Sequence, residues 1–168
     1  MFTVEFLIME KSKKIILFDI DNTLFDTLLF KKSDLQTFSV YQEAYEVLDE
    51  LSKIAELGIF SEGDVAFQKE KLRQTNIEKY FLKEHTHILS QKVTELEQVL
   101  KKYKDHKKLF LVDDRLEILA IIKKDFPSVF GIWIKRGEYA PTQIPIKGFT
   151  PDATVDTLKE IIPLVINR

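Results

Sequence analysis

The stretch Lys14-Ile-Ile-Leu-Phe-Asp19-Ile-Asp21-Asn-Thr23 decides the fold. Its apolar run lacks the alternation of a half-solvated strand, so it reads as a strand covered on both faces, the mark of a parallel sheet between layers of helices. Such a strand carries its next residues to the carboxyl edge of the sheet, where open α/β folds bind their ligands. In this chain those residues bring two carboxylates at i and i+2 and a hydroxyl: Asp19, Asp21 and Thr23.

Outward from that strand, short apolar runs alternate with longer stretches of helical period. Residues 41–57 carry Ala44, Val47, Leu48, Leu51, Ile54 and Ala55 at three-and-four spacing and predict a helix, followed by a short strand over 58–61. The same reading gives a helix over 67–82 with Leu72, Ile77, Tyr80 and Phe81 on its core face, a strand over 86–90 and a helix over 94–103. It continues with a strand over 108–112, a helix over 115–124 closed by Phe126-Pro127, and a strand over 129–134. An edge strand over 153–155 and a last helix over 155–165, limited by Pro163, complete the pattern. The expected fold is a single-domain, three-layer, Rossmann-like α/β domain with a mostly parallel five- or six-stranded sheet. Residues 1–12 read as an N-terminal extension or accessory strand, and 24–40 as a flap, too short for a domain of its own.

Composition narrows the function classes. Hydrophobic residues make up 45% of the 168 and glycine and proline only 5 each, which excludes a disordered or low-complexity chain. A net charge of -2 lacks the basic footprint of a dedicated nucleic-acid binder, and the lysine-rich run around 101–108 reads as a solvated helix end. Nucleic acid is therefore not an indicated partner. With no cysteine, disulfides, thiolate zinc sites and cysteine nucleophiles are excluded together. No apolar run is long enough to span a bilayer and the N-terminal stretch lacks the order of a signal peptide, so the expectation is a cytoplasmic protein with no membrane partner. Neither G-x-G-x-x-G nor G-x-x-x-x-G-K-[ST] occurs. His85 and His87 share one strand face, but no third metal ligand lies close in sequence, and a half-exposed strand end accounts for them.

The strands end on polar residues throughout: Asp19, Asp21 and Thr23 after the first, Ser61 on the second, Ser90 and Lys92 after the third, Asp113 and Asp114 after the fourth. Each alone reads as a turn or helix cap; together, in this order and at converging strand ends, they have the parts of magnesium-assisted phosphoryl transfer. A carboxylate that attacks a phosphate anion needs a hard cation on oxygen ligands and a fixed side-chain cation to offset repulsion. Asp19, Asp113 and Asp114 supply oxygens and Lys92 the charge. Ser61 and the N–H groups of the turn after it suit a phosphoryl group, and two carboxylates at i and i+2 can divide the roles of nucleophile and proton carrier. A signalling receiver domain uses similar parts, but with its acidic pair first and its phosphoacceptor in mid-chain, the reverse of this order.

The set Asp19-x-Asp21-x-Thr23, Ser61, Lys92, Asp113-Asp114 resembles the haloacid dehalogenase (HAD) superfamily, from Lys13 to Val165. The resemblance implies a phosphatase-type, capless or minimal-cap member. On it, Asp19 is the nucleophile and forms an aspartyl-phosphate. Asp21 is the general acid/base, with its main-chain carbonyl on Mg²⁺. Thr23, Ser61 and Lys92 hold the substrate, and Asp19, Asp21, Asp113 and Asp114 bind the metal. Three positions depart from the common pattern: Glu62 follows Ser61 where Asn is frequent, Val93 follows Lys92 where Pro is frequent, and Val112 precedes the acids where Gly is common. Lys69 and Lys71 are substitutes for Lys92. The expected activity is hydrolysis of a phosphorylated substrate, a large one if the rim is open. The alternative is a metal-binding regulatory or interaction module with little or no turnover.

Overall fold

The computed structural model describes residues 14–106 and 108–168; the expected N-terminal extension over 1–12 lies outside the described residues. Six strands, β1 (Lys14–Phe18), β2 (Glu56–Glu62), β3 (Thr86–Leu89), β4 (Lys108–Asp113), β5 (Phe130–Ile134) and β6 (Ala153–Val155), form one sheet in the order β3-β2-β1-β4-β5-β6. Every strand pair is parallel. The helices are α1 (Thr27–Lys32), α2 (Ala44–Ile54), α3 (Val65–Gln74), α4 (Lys92–Leu100), α5 (Leu116–Asp125) and α6 (Ile161–Ile166), with short 3-10 turns between some of them.

All five residues of β1 are buried, because both faces of the central strand are covered. Ile16 and Phe18 pack with Val47, Leu48 and Leu51 of α2 and Ile161 and Val165 of α6. Ile15 and Leu17 pack on the other side with Leu96, Val99 and Leu100 of α4 and Ile118, Leu119 and Ile122 of α5. These are the three layers the unbroken apolar run implied. No helix among the described residues is long and apolar enough to cross a membrane.

Several boundaries differ from the periodicity reading. The helix expected over 41–57 occupies only Ala44–Ile54, because Ala55 turns extended (φ -149°, ψ 160°) and Glu56 already pairs with Ile15. Gly58, expected to punctuate the helix end, lies inside β2, where a Cβ would collide with the backbone of His85. The glycine permits close approach of the chain on β3's side. The helix expected over 67–82 starts at Val65, capped by Asp64, whose carboxylate accepts from Phe67 N at 2.8 Å. It stops at Gln74, where Asn76 takes a left-handed φ of 56°, and Glu78–Tyr80 is a separate 3-10 turn. At the chain's end Thr157 and Glu160 form a capping box, and Pro163 falls in the first turn of α6, where its missing N–H is tolerated.

Residues 24–40 leave and rejoin the body through Tyr41 N→Leu24 O (3.0 Å) and Asp26 N→Ser39 O (2.9 Å). Between these anchors lies α1, capped by Asp26. Phe25, Phe30 and Phe38 of this excursion form an edge-to-face cluster with centroids 4.9–6.0 Å apart, and Phe30 and Phe38 also meet Phe67 of α3.

Candidate active site

The chain runs β1→β2→β3 to one side and then crosses to β4 on the other side of β1, which opens a crevice at the carboxyl ends of β1 and β4. Asp19 follows β1 and Asp113 ends β4, held in register by Asp19 N→Val112 O at 2.9 Å. Ser61 lies in β2 on the other flank of β1, and Lys92 opens α4. Residues far apart in sequence meet here because parallel strands bring their last residues to one edge.

Lys92 is wholly buried, and its ammonium donates to Asp19 Oδ1 at 2.8 Å and Asp113 Oδ2 at 2.6 Å. Burial works against its charge, but Asp113 and Asp19 overcome this and hold its pKa above the ordinary lysine value. Lys92, rather than the substitutes Lys69 or Lys71, thus occupies the centre of the acidic group. The residue in the departing position, Glu62, supports it: Glu62 Oε2 accepts from Lys92 N at 2.6 Å at the start of α4, and Glu62 Oε1 accepts from Arg115 Nη1 at 3.4 Å.

Asp19, Asp113 and Asp114 are buried and can each offer a carboxylate oxygen within 4.8 Å of the others. Burial, with Asp113 close by, raises Asp19 to about 6 despite the opposing pull of Lys92. Burial and the charges of Asp19 and Asp113 raise Asp114 to about 9, and its Oδ2 is buried with no hydrogen-bond partner. Three crowded, buried carboxylates, of which Asp19 and Asp114 resist ionisation and Asp114 has an unpartnered oxygen, are a donor set that fits a hard divalent cation with oxygen ligands. The backbone of Asp114 is fixed from outside the group: its carbonyl accepts from Trp133 Nε1 at 3.0 Å and Gln143 Nε2 at 2.6 Å.

Asp21 belongs to a second, separate network. Its carboxylate accepts from Lys71 Nζ at 2.7 and 2.8 Å, Gln68 Nε2 at 2.8 Å and Thr27 Oγ1 at 2.8 Å. Burial alone would raise its pKa, but Lys71, with Gln68 and Thr27, holds it below the usual carboxylate value. Thr23 and Ser61 are buried, and neither hydroxyl has a partner. In the turn after Ser61, the Gly63 N–H is engaged by Leu89 O at 2.9 Å and is not free for an anion.

Beside these groups is a pocket of about 230 Å³ whose lining includes Asp19, Asp21, Asn22, Asp114, Lys31, Arg115 and Tyr139. Sequence reasoning missed its second wall, Glu138 and Tyr139, which follow the turn at Gly137. Gly137 has a φ of 70° and a Cβ there would collide with Asn22, while Glu138 reaches across to Lys31 of α1 at 2.6 Å. This stretch has no periodicity to read; only the glycine marked a turn. His85 and His87 lie elsewhere, each hydrogen-bonded to Tyr103 Oη, at 3.1 and 2.6 Å, and His85 also to Glu56 at 3.0 Å.

No family model matches the chain, and no curated protein matches it in sequence. Solved structures do match. A Burkholderia xenovorans protein named a haloacid dehalogenase-like hydrolase superposes with a TM-score of 0.74 at 21% identity over 93% of this chain and 98% of its own. The chain has the haloacid dehalogenase-like fold. Other proteins with this HAD-like fold are similar over as much of their length: YfnB of Bacillus subtilis, named a HAD-hydrolase and bound to magnesium, has a TM-score of 0.67 at 12% identity over 92% of this chain and 99% of its own. A Clostridium difficile protein named a phosphatase has a TM-score of 0.66 at 16% identity over the same shares, 92% and 99%. Asp19, Asp113 and Asp114 thus sit at the topological switch point of a HAD-like sheet.

Proposed function

We propose that the chain is a magnesium-dependent phosphomonoester hydrolase that works through an aspartyl-phosphate on Asp19. The observation that carries this reading is the state of the Asp19 carboxylate. One oxygen is held by Lys92, the other carries no hydrogen bond among the described residues, and the residue lines the pocket. A carboxylate pinned by one oxygen and open at the other is oriented to attack. The names of the similar structures, hydrolases and a phosphatase, and the magnesium bound to one of them support the same reaction class.

In this reading Asp21, ionised at rest beside Lys71, first takes up a proton from solvent; the open Asp19 oxygen then forms a bond to phosphorus as the ester P–O bond breaks, and the departing oxygen takes that proton. Water then attacks the aspartyl-phosphate and gives its proton to Asp21, which releases inorganic phosphate and restores Asp19. Lys92 is fully buried and does not line the pocket, so it acts on the reaction through Asp19 and Asp113, the two carboxylates its ammonium holds. Ser61, whose buried hydroxyl lacks a partner, is the candidate phosphoryl holder, although it lies behind the residues that line the pocket. Asp19, Asp113, Asp114 and the main chain of Asp21 would hold Mg²⁺, which when bound neutralises charge on the phosphoryl group. The pocket, about 230 Å³, takes a phosphoryl group and a small organic remainder, so any larger substrate, such as a phosphorylated macromolecule, would lie partly across the rim.

The test is phosphate release from a panel of phosphate esters, phosphopeptides and phosphorylated nucleic-acid ends, with Mg²⁺ and with a chelator. Wild type should release phosphate only with the metal, and Asp19→Asn should fall to background while its circular dichroism is unchanged. Turnover by Asp19→Asn within a few-fold of wild type would sink the covalent route. Mg²⁺ binding without turnover of any ester would favour a regulatory module.

A further inference from the structure

We propose that Arg115 is the side chain that grips the phosphoryl oxygens of the substrate, the cation that meets the ligand at the pocket wall while Lys92 stays buried behind it. The inference deepens the phosphatase reading and rests on it.

A phosphoryl group arrives beside Asp19 with negative charge of its own, and that charge has to be offset where the group sits. Among the described residues that line the pocket, the cationic ones are Lys31 and Arg115. They are not equally available. Lys31 is half exposed, and its ammonium is engaged by Glu138 at 2.6 Å. Charge-assisted pairs close to about 2.7–2.9 Å, so this lysine is already committed. The Arg115 side chain is 24% exposed, and its single hydrogen bond among the described residues runs from Nη1 to Glu62 Oε1 at 3.4 Å, a long contact. A guanidinium offers N–H donors along a planar fork, so most of them remain for a ligand.

The position of Arg115 fixes its aim. Its backbone N donates to Asp113 Oδ1 at 2.9 Å, and the next residue opens α5, with Leu116 N donating to Gln143 Oε1 at 2.6 Å. The side chain therefore starts from the same turn as two of the buried acids. At its far end stands Glu62, whose Oε2 accepts from Lys92 N at 2.6 Å and so keeps Oε1 beside the guanidinium. The glutamate holds the arginine loosely before substrate arrives and gives way to an oxyanion that accepts two parallel N–H bonds at once. An asparagine in the place of Glu62 would have no charge to hold it with.

The experiment measures binding of inorganic phosphate to the Mg²⁺-loaded protein, and of Mg²⁺ alone, by titration calorimetry in wild type, Arg115→Ala and Arg115→Lys. Arg115→Ala should weaken phosphate at least about 30-fold, the loss of one partner of a desolvated charge pair. Arg115→Lys should weaken it about 10-fold, because an ammonium keeps the charge but loses the fork. Magnesium separates grip from scaffolding: removing a neighbouring cation should leave the Mg²⁺ Kd unchanged or lower it, whereas a disturbed acid turn would raise it. Phosphate affinity close to that of wild type in Arg115→Ala, or in Arg115→Lys should the alanine variant not fold, would overturn the assignment. Phosphate and Mg²⁺ weakened together would overturn it as well, since Arg115 would then only support the turn. A wild type that neither binds phosphate nor turns over any ester would remove the phosphatase reading and this inference with it.

Discussion

Asp114 is buried beside two other carboxylates and has one oxygen with nothing to bond. Its pKa of about 9 and that of Asp19 at about 6 mean that the folded, metal-free protein keeps protons that the unfolded chain has already released above about 3.8. The folded state then binds more protons than the unfolded one, so metal-free stability falls as pH rises through this window. A cation bound only by the folded state reverses the loss, by about 2.7 kcal/mol at a hundredfold excess over its Kd. Asp114→Asn should therefore raise the melting temperature in chelator, flatten its decline between about pH 5 and pH 8, and abolish most of the rise that Mg²⁺ gives to wild type. Thermal denaturation with Mg²⁺ and with chelator checks all three, and an unchanged Mg²⁺ response would remove Asp114 from the ligand set. At this scale the acids were legible, because each follows a strand whose apolar run announces itself. Lys71 was visible only as a stand-in for Lys92. Its helix buries Gln68, Lys71 and Leu72, a mostly polar face that apolar periodicity cannot find.

At the scale of elements, the excursion over 24–40 depends on aromatic packing. Phe30 is 5% exposed and meets Phe25, Phe38 and Phe67, so Phe30→Ala should cost about 3 kcal/mol in a urea titration. Because Lys71 stands against two rings of the same cluster, the variant should also lose activity; full activity in a destabilised protein would separate the cluster from the site. The Lys31–Glu138 pair that joins the two walls is about half exposed on its lysine side and contributes little to stability by comparison. Element type was legible through most of the chain and element ends were not. Ile54 and Ala55 continue the apolar spacing of α2, yet strand pairing takes over from Glu56, and a window of side chains does not contain that competition.

For the whole molecule, the parallel three-layer architecture was legible from the alternation of apolar runs and helical stretches, but the wall at Glu138 and Tyr139 was not, since loops are shaped by the surfaces they lean on. Its presence bounds what the protein can grip. With about 230 Å³ beside the acids, most of any sizeable substrate lies on the outer surface, where each contact is also a contact with the carrier. The same phosphate group on a folded or polymeric carrier should be hydrolysed more efficiently than on a small ester, and truncating the carrier should lower kcat as well as affinity. Steady-state kinetics on matched carriers measures this, and equal efficiency on both would mean that the pocket alone selects.

The single tryptophan, Trp133, donates its indole N–H to the carbonyl of Asp114. The chain therefore carries its own optical probe one residue's width from the acidic group. Light absorbed only by indole is emitted from that one place, so a change in intensity or wavelength belongs to the carboxyl edge of β4 and β5 and to nowhere else in the fold. Occupancy of the acids can be followed in the unlabelled protein, in real time and apart from turnover.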